Sequence, residues 1–141
     1  MFKNIFNKKK VNNTNEKDVL VAALLVHAAK IDENYTEDEK KLIKKALIKL
    51  YKLKDAESAD LLNKAEKIEK ESNQIIEFTK EIKKNSLEFR LKIIEILWEI
   101  VYSDGANDNY ESNLIRRVCG LLYVSDKDNG IIKTKIKNLI N

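Results

Sequence analysis

The chain contains no proline and only three glycines, Gly105, Gly120 and Gly130, in 141 residues. A sheet protein of this length needs many tight turns built on those residues, so long helices joined by few loops are the economical reading. It contains one cysteine, Cys119, and one histidine, His27. A lone cysteine excludes an intramolecular disulfide and fits a reducing, cytoplasmic compartment. With no Cys-x-x-Cys and no second histidine, a structural zinc site has no ligand set. A di-iron bundle needs Glu-x-x-His on two helices, and Leu24 stands three residues before His27. Gly-rich phosphate loops and the Gly-x-Ser-x-Gly elbow are missing too. No apolar run approaches the roughly 20 residues of a transmembrane helix. The basic start, Met1 to Lys10, lacks the apolar stretch of a signal peptide.

What is present is lysine, leucine, isoleucine and glutamate, in a chain that is 43% hydrophobic and carries a net charge of +4. That hydrophobic fraction suits a folded domain, and the length suits a single one. Arginine occurs only at 90, 116 and 117. Most lysines alternate with glutamate along helical stretches, and no arginine stripe interleaves with aromatics, so nucleic acid is not expected as a partner. Residues 1–15 read as a flexible basic tail, in which Phe2, Ile5 and Phe6 offer at most a weak membrane-surface or partner-docking anchor.

Apolar residues at 20, 21, 24, 25, 28 and 31 predict a first helix over about 16–31. After the polar stretch 32–35, Thr36 and Glu39 make a capping box that opens a second helix reaching about Leu53. From Asp55 to about Lys84 an apolar seam, Leu61, Ala65, Ile68, Ile75 and Ile82, predicts one long helix, or two broken near Ser72-Asn73, packed coiled-coil style along the bundle. Asn85 and Glu88 form a box-like start for a helix that is apolar almost all round, and therefore central. Asp108 with Glu111, and Ser125 with Asp128, mark two further starts, with Gly130 inside the last segment. His27 reads as a satisfied, partly buried histidine, Cys119 as a core thiol, and Trp98 and Tyr102 as core.

Shifting the chain by 72 residues brings Leu25 onto Leu97, Asp32 onto Asp104, Glu39 onto Glu111, and Leu50-Tyr51 onto Leu122-Tyr123. Any two amphipathic helices share an apolar pattern. A polar pair in the same register is more specific. The expected architecture is all-α: one helical bundle of two related helix-loop-helix halves with approximate two-fold symmetry. Repeat one covers about 16–60, a connecting helix about 61–84, and repeat two about 85–141.

Two readings of the repeated acidic pair stay open. Asp32 with Glu39, and Asp104 with Glu111, joined by Asp108, offer the hard oxygen donors that Ca2+ or Mg2+ prefers. Alternatively, both glutamates are N3 residues of capping boxes and both aspartates end the preceding helix. An EF-hand is excluded, because Asn109 and Ile115 stand where that loop needs Gly and Glu, as do Glu37 and Ile43 in the first copy. Paired carboxylates suit acid-base work, but no nucleophile or oxyanion hole accompanies them.

The string Leu97-Trp98-Glu99-Ile100-Val101-Tyr102-Ser103-Asp104-Gly105, followed by Tyr110-Glu111 and Arg116-Arg117-Val118, then Leu121-Leu122-Tyr123-Val124-Ser125, closely resembles the TerB-like (tellurite-resistance protein B) family. Ala22 to Leu47 resembles that family's degenerate first repeat, and the likeness covers about residues 18–140. It implies two helical halves with acidic residues gathered on one surface, and a link to tellurite or metal stress without an established enzymatic activity. Asp104 and Glu111 match the family's acidic motif, with Asp32 and Glu39 as its first copy. Glu33 departs from the family by replacing the Gly that relaxes the turn after the aspartate. The function expected is a non-enzymatic bacterial module that binds an unidentified protein partner, with a divalent cation organising the loops. The alternative is a metal-binding stress-response protein whose cation site is itself the function. An enzyme using the paired carboxylates is third.

Overall fold

The structure is a computed structural model, and it describes residues 16–31, 34–72, 74–103 and 109–140. Its α-helices are α1 Glu16–Ala29, α2 Glu37–Tyr51, α3 Asp55–Glu71, α4 Ile75–Thr79, α5 Leu87–Tyr102, α6 Asn109–Leu121 and α7 Asp126–Ile140. A 3-10 turn, Ile82–Lys84, precedes α5. No strand occurs among the described residues, so the expected all-α class holds.

Two helices make the centre. In α1, every residue from Val19 to Val26 is buried, and in α5 so are Ile93, Ile94 and the run Ile96–Trp98. Being apolar over most of their circumference, they cannot lie on the surface without exposing a hydrophobic face, so the amphipathic helices close around them. The most extensive packing is of α1 on α3, then of α5 on α7. Cys119 lies within this core, and burial pushes its thiol up to about 12, which leaves it a small apolar filler at neutral pH. Trp98 and Tyr102 are also core residues, with rings stacked 5.7 Å apart. The indole N–H of Trp98 donates to Asn129 Oδ1 of α7 at 2.8 Å, so this large ring is buried without orphaning its polar atom.

The helix ends follow local chemistry, not always where the sequence suggests. At α2 the capping box forms as read: Glu39 N–H donates to Thr36 Oγ1 at 3.1 Å, and Thr36 N–H donates to Glu39 Oε1 at 2.9 Å. Ser125 caps α7 through the Asp128 amide at 3.1 Å, and Gly130 is an exposed residue inside that helix. The expected Asn85 cap is one residue early. Ser86 is the N-cap of α5, taking the Phe89 amide at 3.2 Å, while the Asn85 side chain turns back and donates through Nδ2 to the carbonyls of Glu81 and Ile82.

The segment 55–84 is not one long helix but breaks at Ser72, the second of the two alternatives that the seam allows. The chain leaves α3 at Ser72, which adopts extended backbone, and restarts as two short pieces, α4 and the 3-10 turn. The polar run Glu71 to Gln74 offers nothing to bury, so no apolar contact holds the helix straight there. The turn re-aims the seam and brings in Phe78, which the 3-4 spacing had passed over. Its side chain is fully buried beside the His27 ring.

The two halves also part by one residue at a helix end. Both α2 and α6 finish in a Schellman-type turn, with Leu53 N–H on Ile48 O at 3.2 Å and Val124 N–H on Cys119 O at 2.9 Å. The left-handed residues are Lys52 (φ 54°) and Tyr123 (φ 58°), 71 positions apart. Tyr51 and Tyr123, which the 72-residue shift pairs, are therefore not equivalent. Tyr51 is the last helical residue and packs against Phe89, whereas Tyr123 holds the strained turn and is 70% exposed. Arg90 reaches across to this end of α6, donating to Leu122 O at 2.8 Å.

Candidate functional site

Of the residues expected to form an acidic site, Asp32, Asp104 and Asp108 lie outside the described residues. Glu111 falls in the first turn of α6, but its side chain is outside the described part as well. Glu39 is the member whose surroundings are defined. It is 1% exposed, and its Oε1 is held by the capping box. Glu39 therefore fills the structural role that its N3 position suggests. Among the described residues, no three His, Cys, Asp or Glu side chains converge as a metal site would require.

The first acidic loop is anchored by residues that the repeat did not point to. Glu69, in the last turns of α3, is 5% exposed and accepts from Lys30 Nζ at 2.7 Å and from His27 Nδ1 at 3.0 Å. One helical turn earlier, Glu66 accepts from the Tyr35 hydroxyl at 2.7 Å. Lys30 and Tyr35 stand on either side of the stretch 32–34, so α3 grips both ends of the loop. Burial alone would push the Glu69 carboxyl up. The hydrogen bonds and charges of Lys30 and His27 together outweigh it and hold the group below the ordinary carboxylate range. At Tyr35, burial raises the phenol first and the neighbouring Glu66 carboxylate adds to it, so it remains a neutral donor. His27 is thus satisfied and partly buried, as read.

The second loop follows α5 directly. Tyr102, in the last turn before it, is buried, and its hydroxyl has no hydrogen-bond partner among the described residues. The shift by 72 sets Tyr102 where the first half has Lys30. The cation grip on α3 is therefore a property of the first half, not of the repeat.

A different feature lies on the other side of α2's cap. Between α2 and the start of α3 runs an open groove of about 770 Å³. Leu42, Ile48, Ala56 and Ala59 give it an apolar lining, and Lys41, Lys44 and Lys45 stand along it from α2. These three lysines form no ion pair among the described residues, while Lys40 and Lys64 nearby are paired with Glu37 and Asp60. On the other flank of α2, a smaller cavity of about 380 Å³ against α5 mixes Lys45, Lys49 and Lys92 with Glu95 and Glu99. Burial, and then the Glu95 charge, raise the Glu99 carboxyl, against the pull of Lys49 and Lys135. Each cavity thus sets three lysines against two carboxylates, and the first is the larger of the two.

The first three helices, α1–α2–α3, thus carry both the gripped loop and the lysine-lined groove. The description "Tellurite resistance protein TerB" belongs to the family whose model matches residues 18–134. The chain belongs to the TerB family. That match takes in both halves and the turn between them, which agrees with the resemblance carried by the Trp98 to Gly105 string. No curated protein and no solved structure matches the chain. In this TerB chain the groove residues lie inside the matched span, and the first ten residues lie before it. No helix among the described residues is long and apolar enough to cross a membrane.

The groove was not legible in the sequence. Leu42 reads as part of the core face of α2, and Lys41, Lys44 and Lys45 as its solvated face. Their joint exposure depends on how α3 leaves α2 at Lys52. The signal that was available is the density of lysine on that helix, unmatched by glutamate after Glu39.

Proposed function

We propose that this TerB-family chain is a non-enzymatic protein-interaction module of the cytoplasm, and that the groove between α2 and α3 is its docking surface. The observation that carries the reading is the groove itself: an apolar floor, half-buried Leu42 and Ile48, flanked by lysines with no ion pair among the described residues. Apolar surface of that kind gains by being covered. A catalytic reading has less to stand on. Glu39, the defined carboxylate of the repeated pair, is committed to its cap, and His27 and Glu69 are committed to each other and to Lys30.

A photo-crosslinking side chain placed at Ala59, inside the groove, should capture one reproducible protein in cells of the source bacterium. The same group at Glu88, exposed on α5, should not. Equal capture at both positions, or none at Ala59, would remove the groove as the docking surface.

A divalent cation at the second loop, linking the module to metal or tellurite stress, is the remaining part of the proposal. It rests on Asp104, Asp108 and Glu111 as oxygen donors. Millimolar Ca2+ or Mg2+ should raise the melting temperature of the unmodified protein, and Asp104→Asn with Glu111→Gln should abolish the shift. A melt indifferent to both cations would discard it.

A further inference from the structure

The groove carries enough chemistry to specify the class of its occupant. Asp38, Lys41, Lys45 and Ile48 follow one another at three- and four-residue intervals, with Leu42 and Lys44 beside them, so they form one stripe along α2. From residue 38 to residue 48 that stripe is about 15 Å long at the rise of an α-helix, enough for a partner segment of about ten helical residues. Ala56 and Ala59 face it from α3, and their small side chains leave room for a third helix to approach. No strand occurs among the described residues, so an extended peptide would find no sheet edge to join there.

Charge then decides among helices. The groove sets Lys41, Lys44 and Lys45 against Asp38 and Asp55, which leaves an excess of one positive charge, three minus two, and none of the lysines is paired among the described residues. A basic segment is repelled. This disfavours the chain's own start, where Lys3, Lys8, Lys9 and Lys10 accompany Phe2, Ile5 and Phe6. We infer that the groove binds an amphipathic helix of a partner protein whose apolar stripe covers Leu42 and Ile48 and whose flank carries Asp or Glu opposite Lys41, Lys44 and Lys45. The inference rests on the reading of the groove as the docking surface.

The test uses the full chain as bait for a displayed library of random 14-residue peptides, followed by synthesis of the selected sequences. Selected peptides should carry apolar residues at i, i+3 or i+4, and i+7, with an acidic flank. Their binding should shift amide resonances of residues 38–48 and 55–59, and it should weaken as salt rises. Lys44→Glu with Lys45→Glu should weaken it about tenfold or more, because two attractions become repulsions. Arg116→Glu with Arg117→Glu makes the same charge change on exposed positions of α6 and should leave it unchanged. A thermal melt of each variant separates lost binding from lost folding.

Selected peptides that shift the groove resonances but are basic or uncharged, or bind independently of salt, would overturn the acidic-helix inference while the docking surface stands. Selection of nothing, or of peptides that shift resonances elsewhere, would overturn it too. Failure of the docking reading itself is read separately, by crosslinking at Ala59.

Discussion

Replacing Glu69 by glutamine removes one charge at the point where α1, the first loop and α3 meet, with almost no change in volume. In the folded chain the carboxylate takes two hydrogen bonds, from Lys30 at 2.7 Å and His27 at 3.0 Å, at a site 5% exposed. A hydrogen bond to a charged group contributes roughly 1.5–3 kcal/mol. The Lys30 side chain is 37% exposed, so its share falls toward the surface-pair range of about 0.2–1 kcal/mol. Glutamine keeps one acceptor oxygen, so the expected loss is about 2 kcal/mol. For a domain of this size that lowers the melting temperature by about 8 °C. The pH dependence has a definite sign. The folded carboxyl titrates below its unfolded value, so its contribution is complete above the ordinary carboxylate range and is lost as pH falls through the folded value. Urea midpoints of the two proteins should therefore differ at pH 7 and converge as pH falls through the folded value. Lys30→Met combined with Glu69→Gln should show a coupling of about 1 kcal/mol, the part the two side chains share. A gap under about 0.5 kcal/mol at pH 7, or one that does not narrow as pH is lowered below the ordinary carboxylate range, would refute the assignment of Glu69 as the anchor of the loop.

Three further substitutions probe other points of the fold. Glu39→Ala should destabilise by at least about 1 kcal/mol, the usual value of a lost cap, and urea unfolding with and without Mg2+ should show the same loss. A loss that changes with the cation would return Glu39 to the list of ligands. Asn129→Ala should cost about 1–3 kcal/mol by stranding the Trp98 indole N–H in a site 2% exposed, with a change in tryptophan emission. Unchanged stability and emission would mean that the hydrogen bond contributes nothing. Tyr123→Gly should stabilise by roughly 1 kcal/mol, because glycine occupies the left-handed turn without the Cβ clash. A calorimetric melting temperature at or below that of the parent would show that the turn is not strained.

The acidic repeat led the sequence reading, and its fate in the structure is uneven. Glu39 is legible as a cap because a capping box is encoded within four consecutive residues, and the structure forms it at the expected atoms. Asp32, Asp104 and Asp108 lie outside the described residues, so their part in a cation site stays with the proposed function. Glu66 and Glu69 could not be singled out in the sequence, where they are two glutamates among many in a charged helix. Their partners, Tyr35 and Lys30, are 31 and 39 positions away and meet them only once α3 has folded back along α1.

What the sequence determined by itself is local. Most helix spans, the caps at Thr36 and Ser125, the central burial of α5, and family membership all follow from spacing and from short motifs. An amphipathic period and a cap act over one or two turns and need no distant partner. Tertiary structure decided where each helix stops when local signals compete, as at Asn85 and Ser86, and how the seam continues past the break that the sequence allows near Ser72, with Phe78 entering the core. It also decided the groove. Lys41, Lys44 and Lys45 are an ordinary solvated face until α3 packs beside α2 and a shared apolar floor opens between them. Composition sets how much apolar surface a chain must bury, whereas the packing of its helices determines which part is left for a partner.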